Sequence, residues 1–143
     1  MRSLTMDQLA VGDAARFTKT VTETDVAFFS AISGDFNPIH VDAEFAKSSR
    51  FGARVAHGPL TLALAAGVLG GSLPGVGTIA VTNHIEYLRP VYVGDTITTT
   101  GTVAERDVER RRVKVALEWT NQGGELVAEG YAVVIPPKES VPL

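Results

Sequence analysis

GPLTLALAAGVLGGSL, residues Gly58 to Leu73, carries almost no polar side chain on any face. Wound as a helix, it offers no side to water, and a helix that is apolar all round must be buried all round. Its most apolar part, Pro59 to Leu73, is about 15 residues, short of the roughly 20 needed to cross a bilayer. The segment therefore reads as a core helix over about residues 58–71. Thr61 is the only hydroxyl in its body, and it is expected to face elsewhere or to satisfy a backbone carbonyl.

The period changes to two after this helix. Thr78 to Leu88, Asp95 to Arg106, Arg111 to Asn121 and Glu125 to Ile135 alternate as strands. The joints are Arg89-Pro90 with Gly94-Asp95, then Asp107 to Arg110, then Gln122-Gly123-Gly124. Before the helix, Ala14 to Val21 alternates weakly as a first strand. Thr22 then caps a helix with Asp25 as its capping-box partner, with Val26, Phe29 and Ile32 as the apolar stripe and Gly34 as the left-handed stop. A second short helix starts at Asp42 and carries Phe45 and Ala46, and a loop from Ser48 to His57 follows. Helices followed by hairpin-connected strands predict an α+β fold with an antiparallel sheet. An all-apolar helix needs that sheet curled around it. The expectation is a hot-dog fold, five antiparallel strands wrapped around one buried helix.

The chain of 143 residues predicts one domain over 1–143, with a core of its own. Its net charge of −3 gives no electrostatic footprint for nucleic acid or an anionic membrane. The run Arg110, Arg111, Arg112 lies among Glu105, Asp107 and Glu109 and reads as a solvated hairpin. The chain has no cysteine, which excludes disulfides, thiolate metal sites and a cysteine nucleophile. The N-terminus has neither an apolar signal region nor a transit-peptide composition, and a cytoplasmic protein is expected. The tail from Pro136 to Leu143, with its prolines, reads as loose.

SGDFNPIH, Ser33 to His40, is the one polar stretch with unusual chemistry. Pro38 lacks an N–H and restricts Asn37 to an extended conformation, so the segment from Asp35 to His40 must turn. Asp35 and His40 can then face one point and act on one water as an acid–base pair. The other reading is that Asp35 caps the turn and His40 is a satisfied structural residue.

FFSAISGDFNPIHVDAEFA, Phe28 to Ala46, resembles the motif of the (R)-specific enoyl-CoA hydratases, the MaoC-like or hydratase-2 family. AHGPLTLALAAGVLG and YLRPVYVGDTI extend the likeness in the same order. The length is similar to the short bacterial hydratases that link fatty-acid β-oxidation to polyhydroxyalkanoate synthesis. The resemblance implies a homodimer that adds water to trans-2-enoyl-CoA to give (R)-3-hydroxyacyl-CoA, with no metal or organic cofactor. It makes Asp35 and His40 the catalytic pair; Asp35 is favoured as the water-activating base and His40 as the proton donor, a division the sequence leaves open. It gives Asn37 a part in organising the loop, and Gly58 the backbone N–H that takes the thioester oxygen. Such an N–H, at a helix start, stabilises the enolate charge that hydration creates. One position departs from the pattern: where some relatives place a serine lining the site, this chain has Ala66.

His57, before Gly58, is expected to orient that loop. His84 is expected to be a pocket wall or core residue rather than a ligand, and the three histidines show no close metal-ligand spacing. Gly70-Gly71 lacks the lysine of a phosphate loop, and no G-x-S-x-G elbow is present. Lys47, Arg50 and Arg89 are candidates for the coenzyme A phosphates. Leu69 and Val134, with Ala66, are candidates for the acyl pocket, or plain core. The alternatives to a CoA hydratase are a 3-hydroxyacyl dehydratase acting on acyl carrier protein, a hot-dog thioesterase and a non-catalytic acyl-CoA-binding subunit.

Overall fold

Five strands form one antiparallel sheet: β1 (Ala14–Thr20), β2 (Ile79–Tyr87), β3 (Thr96–Asp107), β4 (Arg112–Thr120) and β5 (Leu126–Ile135). The computed structural model describes residues 1–141. Pro142 and Leu143, the end of the tail expected to be loose, lie outside the described residues. The strands fall within two residues of the expected positions. Their order does not follow a simple run of hairpins. It is β1-β3-β4-β5-β2, so β2 leaves its sequence neighbour and pairs with β5 at the far edge. The connection from Leu88 to Asp95 makes this crossing possible. It contains Pro90, which cannot donate to a ladder, and it is pinned by a bridge between Val55 and Tyr92.

The concave face of the sheet holds the expected helix in two pieces, α4 (Gly58–Ala63) and α5 (Ala65–Leu69). Leu64 keeps helical dihedrals, but its N–H bonds to Thr61 O at 3.2 Å, three residues back, so the ladder tightens locally. Gly67 permits the close approach to β1: a Cβ there would sit 2.5 Å from Cγ of Phe17. Val68 and Leu69 pack with Val103, Val115, Leu117, Trp119 and Val134 into the core. Burial is not complete, however. Pro59, Ala63, Ala66 and Gly70 are exposed along one side of the helix, facing the nearly bare edge strand β2. The all-round burial inferred from the sequence is thus not achieved by one chain alone.

The remaining helices come before this pair: α1 (Glu23–Ser33), α2 (Pro38–Val41) and α3 (Ala43–Ser48). α1 starts on the expected capping box of Thr22 and Asp25 and ends at Gly34, which has φ 77°. Its buried face differs from the expected stripe. Val26 and Ser30 are buried, Phe29 is half-buried, and Ile32 is 72% exposed. The helix turns Ser30 inward, and that hydroxyl has an imidazole to meet.

Candidate active site

The polar turn is built from short-range hydrogen bonds. Ser33 Oγ donates to Phe29 O at 2.7 Å and accepts from Asp35 N at 3.2 Å. The Asp35 carboxylate accepts from Asn37 N at 3.1 Å, and Asn37 Oδ1 accepts from Ile39 N at 3.3 Å. Asn37 therefore caps α2, with Pro38 at a first-turn position that needs no donor. His40 N donates to Asn37 O at 2.9 Å. The turn that Pro38 enforces is closed at each step, and it sets Asp35 and His40 on the same side.

Asp35 Oδ2 and His40 Nε2 are 3.8 Å apart, the carboxylate side chain 49% exposed and the imidazole 9%. That separation is too long for a direct hydrogen bond and leaves room for one bridging water. His40 Nδ1 lies 2.7 Å from Val55 O. A carbonyl only accepts, so Nδ1 carries the proton and neutral His40 presents a lone pair at Nε2. The expected division, with His40 as proton donor from the start, would need a second proton on the ring. In its neutral form His40 enters as an acceptor beside Asp35.

His57 supports this pair from behind. It is 1% exposed, and its ring stacks on His40 with centroids 3.8 Å apart. Its Nε2 lies 3.0 Å from Asp35 O and 3.2 Å from Ser30 Oγ. With Asp35 O accepting, Nε2 carries the hydrogen; Nδ1 is buried without a partner among the described residues. His57 thus ties the backbone of Asp35 to α1 and holds the acid loop, rather than only the segment before Gly58. Asp35, His40 and His57 bring ligand-type atoms within 4.8 Å of one another, a proximity the spacing in sequence did not show. The donor set does not fit one ion. Two rings stacked at 29° hold their lone pairs in nearly parallel planes, and no point lies about 2 Å from a nitrogen of each along both planes.

A cavity of about 340 Å³ opens in front of His40, with Gly58, Thr61, Tyr87 and Val127 among its walls. Gly58 is the first residue of α4, so its N–H has no intrahelical acceptor, and Pro59 beside it has no N–H at all. A side chain at Gly58 would collide with Tyr87: a Cβ would lie 2.8 Å from its Cζ. Tyr87 was not singled out from the sequence. The only signal for it was its parity on the strand, which aims it inward at the start of α4. Burial raises its phenol above the ordinary value and keeps it protonated. Thr61 also lines this cavity, against the expectation that it faces elsewhere.

Arg50 and Arg89 line the same cavity. Lys47 does not: it pairs with Glu44 at 2.8 Å on exposed α3, beside another depression. Leu69, Val134 and Ala66 meet along a second groove of about 280 Å³ between α4–α5 and β2. His84 is not core, and it lines neither of these two cavities but a third depression, with Glu86, Glu118 and Tyr131. It is exposed on the outer face of the sheet, where it stacks on Tyr131.

Comparison with known proteins agrees with the fold. Residues 8–122 match the family of the MaoC like domain. The chain is 38% identical over 139 residues to the 3-hydroxybutyryl-CoA dehydratase of Methylorubrum extorquens, covering 97% of this chain and 88% of that protein. It is 37% identical over 131 residues to the (R)-specific enoyl-CoA hydratase of Rhodospirillum rubrum, covering 92% and 90%. The unliganded R-hydratase PhaJ1 of Pseudomonas aeruginosa superposes with a TM-score of 0.93 at 37% identity, covering 99% of this chain and 92% of that one. With the fold, the polar turn and the buried helix all matched along nearly its whole length, the chain belongs to the MaoC-like domain family of hot-dog proteins.

Proposed function

We propose that this protein is an (R)-specific enoyl-CoA hydratase, adding water reversibly across a trans-2-enoyl-CoA to give an (R)-3-hydroxyacyl-CoA. The observation that carries the reading is the facing pair Asp35 Oδ2 and His40 Nε2, 3.8 Å apart, with His40 lining a cavity that also presents the N–H of Gly58, unpaired among the described residues. One water donates to both acceptors and turns a lone pair to C3. As the C3–O bond forms, electrons move through C2 onto the thioester oxygen, and the N–H of Gly58 stabilises that charge. The water proton taken by His40 Nε2 is passed to C2 on the same face. Asp35 keeps the other proton aligned and stabilises the imidazolium while it exists. Atoms balance with no cofactor step.

The cavity mouth takes the pantetheine arm, with Arg50 and Arg89 placed for the phosphates of coenzyme A. The acyl tail follows the groove of Ala66, Leu69 and Val134. A second copy of the chain completes the molecule. β2 is a nine-residue edge whose only strand partner among the described residues is β5, with Ile79 and Val81 exposed, and it lies beside the exposed stripe Pro59, Ala63, Ala66 and Gly70. The opposite edge, β1, carries Arg16 and Lys19, charges that protect an edge from pairing. The chain exposes 7818 Å², against roughly 7,100 Å² for a folded monomer of its mass.

The test is to mix the purified protein with crotonyl-CoA, follow loss of the conjugated enoyl absorbance, and determine the chirality of the product. Formation of (R)-3-hydroxybutyryl-CoA supports the reading. No hydration, or hydrolysis of the thioester instead, overturns it.

A further inference from the structure

A helical threonine ordinarily turns its hydroxyl onto the carbonyl one turn back. Thr61 does not. The carbonyl in question, His57 O, takes the N–H groups of Leu60 at 3.1 Å and Thr61 at 3.2 Å, and among the described residues no hydrogen bond engages the Thr61 hydroxyl. The residue is 3% exposed, yet its hydroxyl is not sealed in the core as those of Thr78 and Thr99 are. The surface it retains belongs to the cavity that holds His40 and Gly58. A nearly buried hydroxyl without a protein partner among the described residues, at the wall of a largely apolar cavity beside His40, implies a partner that comes and goes with the substrate.

We propose that Thr61 is a substrate-contacting residue whose hydroxyl donates to the oxygen at C3, the water in hydration and the 3-hydroxyl in dehydration. The assignment rests on the hydratase reading. Gly58 and Thr61 are three residues apart and share one helix face, with a rise of roughly 4.5 Å between them. If the thioester oxygen sits at the N–H of Gly58, the stretch of acyl chain beside Thr61 is C2 to C4. In a simple enoyl or 3-hydroxyacyl group the only oxygen in that stretch is the one being added or lost. The pair behind it consists of two acceptors, the Asp35 carboxylate and the Nε2 lone pair of His40, which take both protons of the water. One oxygen lone pair then faces C3 and the other has no donor. Thr61 supplies that donor. In hydration it fixes the direction of the attacking lone pair. In dehydration it stabilises the negative charge that gathers on the oxygen as the C3–O bond breaks, and the Thr61 proton stays where it is throughout.

The experiment compares wild type, Thr61→Val and Thr61→Ser on crotonyl-CoA, with butyryl-CoA, which lacks the 3-oxygen, as a competitive inhibitor. Thr61→Val keeps the shape and removes the hydroxyl. The expected result is a kcat lowered about tenfold, the worth of one hydrogen bond, with KM and the butyryl-CoA inhibition constant within about twofold of wild type. Thr61→Ser should recover most of the kcat. Melting temperatures control for folding, and Thr61→Ala reads the same split if valine disturbs the helix. A kcat within about twofold of wild type in Thr61→Val overturns the assignment and leaves the hydratase reading intact. Butyryl-CoA binding weakened as much as kcat also overturns it, because the contact would then be to the acyl chain. A wild-type protein that does not hydrate crotonyl-CoA ends both.

Discussion

Each residue of the candidate pair is held by a neighbour. Val55 O fixes the proton of His40 on Nδ1, and His57 holds the backbone of Asp35. Asp35→Asn keeps the size but removes the carboxylate charge, and His40→Ala removes the lone pair. Each is expected to cut turnover by at least about a hundredfold with an unchanged melting temperature, the usual worth of acid–base catalysis. Either folded variant working at near wild-type rate would remove the pair from the mechanism. Gly58→Val tests the oxyanion contact. The three atoms nearest the added Cβ all belong to the Tyr87 side chain, which is half exposed, so the fold should survive. Turnover should fall roughly a hundredfold or more, the scale of one lost oxyanion donor. Retained activity would move that role to another group. Ala66→Ser, in the groove rather than the cavity, should be mild by comparison.

α1 is the element that delivers this turn, and its start is electrostatically set. Burial acts to raise the Asp25 carboxyl, but the Lys19 ammonium at 2.6 Å and the N–H and hydroxyl of Thr22 outweigh it and bring it to about 2. A carboxyl lowered in the folded state stabilises it above the unfolded value of about 4, and that contribution is lost as pH falls towards about 2. Asp25→Ala should cost about 1 kcal/mol at neutral pH, the worth of a cap, and the gap from wild type should close between about pH 4 and pH 2. Urea midpoints across that range measure it. A gap of constant size would mean that the charge on Asp25 contributes nothing. Because α1 leads directly into Gly34 and Asp35, the same substitution should loosen the acid loop.

At the scale of the whole molecule, the groove assigned to the acyl chain is open on the side where α4–α5 and β2 are bare. Pairing of β2 with its counterpart in a second copy would satisfy the free edge, cover Ala63 and Ala66, and close the groove. Sedimentation equilibrium at micromolar concentration should therefore give twice the chain mass of 15.2 kDa. A stable species of single mass would contradict the dimer, and with it the idea that a partner closes the acyl groove.

The sequence by itself determined the strand positions, the capped start and glycine stop of α1, the turn at Pro38 and the presence of a core helix. These depend on local rules: alternation, capping chemistry, and the missing N–H of proline. The resemblance placed Asp35, His40 and Gly58 at one site, and the structure brings His40 and Gly58 to one cavity with Asp35 beside them. What local rules could not contain is anything set by the rotation of a helix or the crossing of a strand. β2 lies at the far edge because the chain crosses the end of the sheet after Leu88, so Tyr87 meets Gly58 although 29 residues separate them. Ile32 faces water because Ser30 turns inward to His57. Thr61 faces the cavity, and Ala63 and Ala66 face outward, and a helix with almost no polar residues carries no mark of which side meets the sheet, the substrate or a second chain. Only the packing of that helix against the sheet decides it.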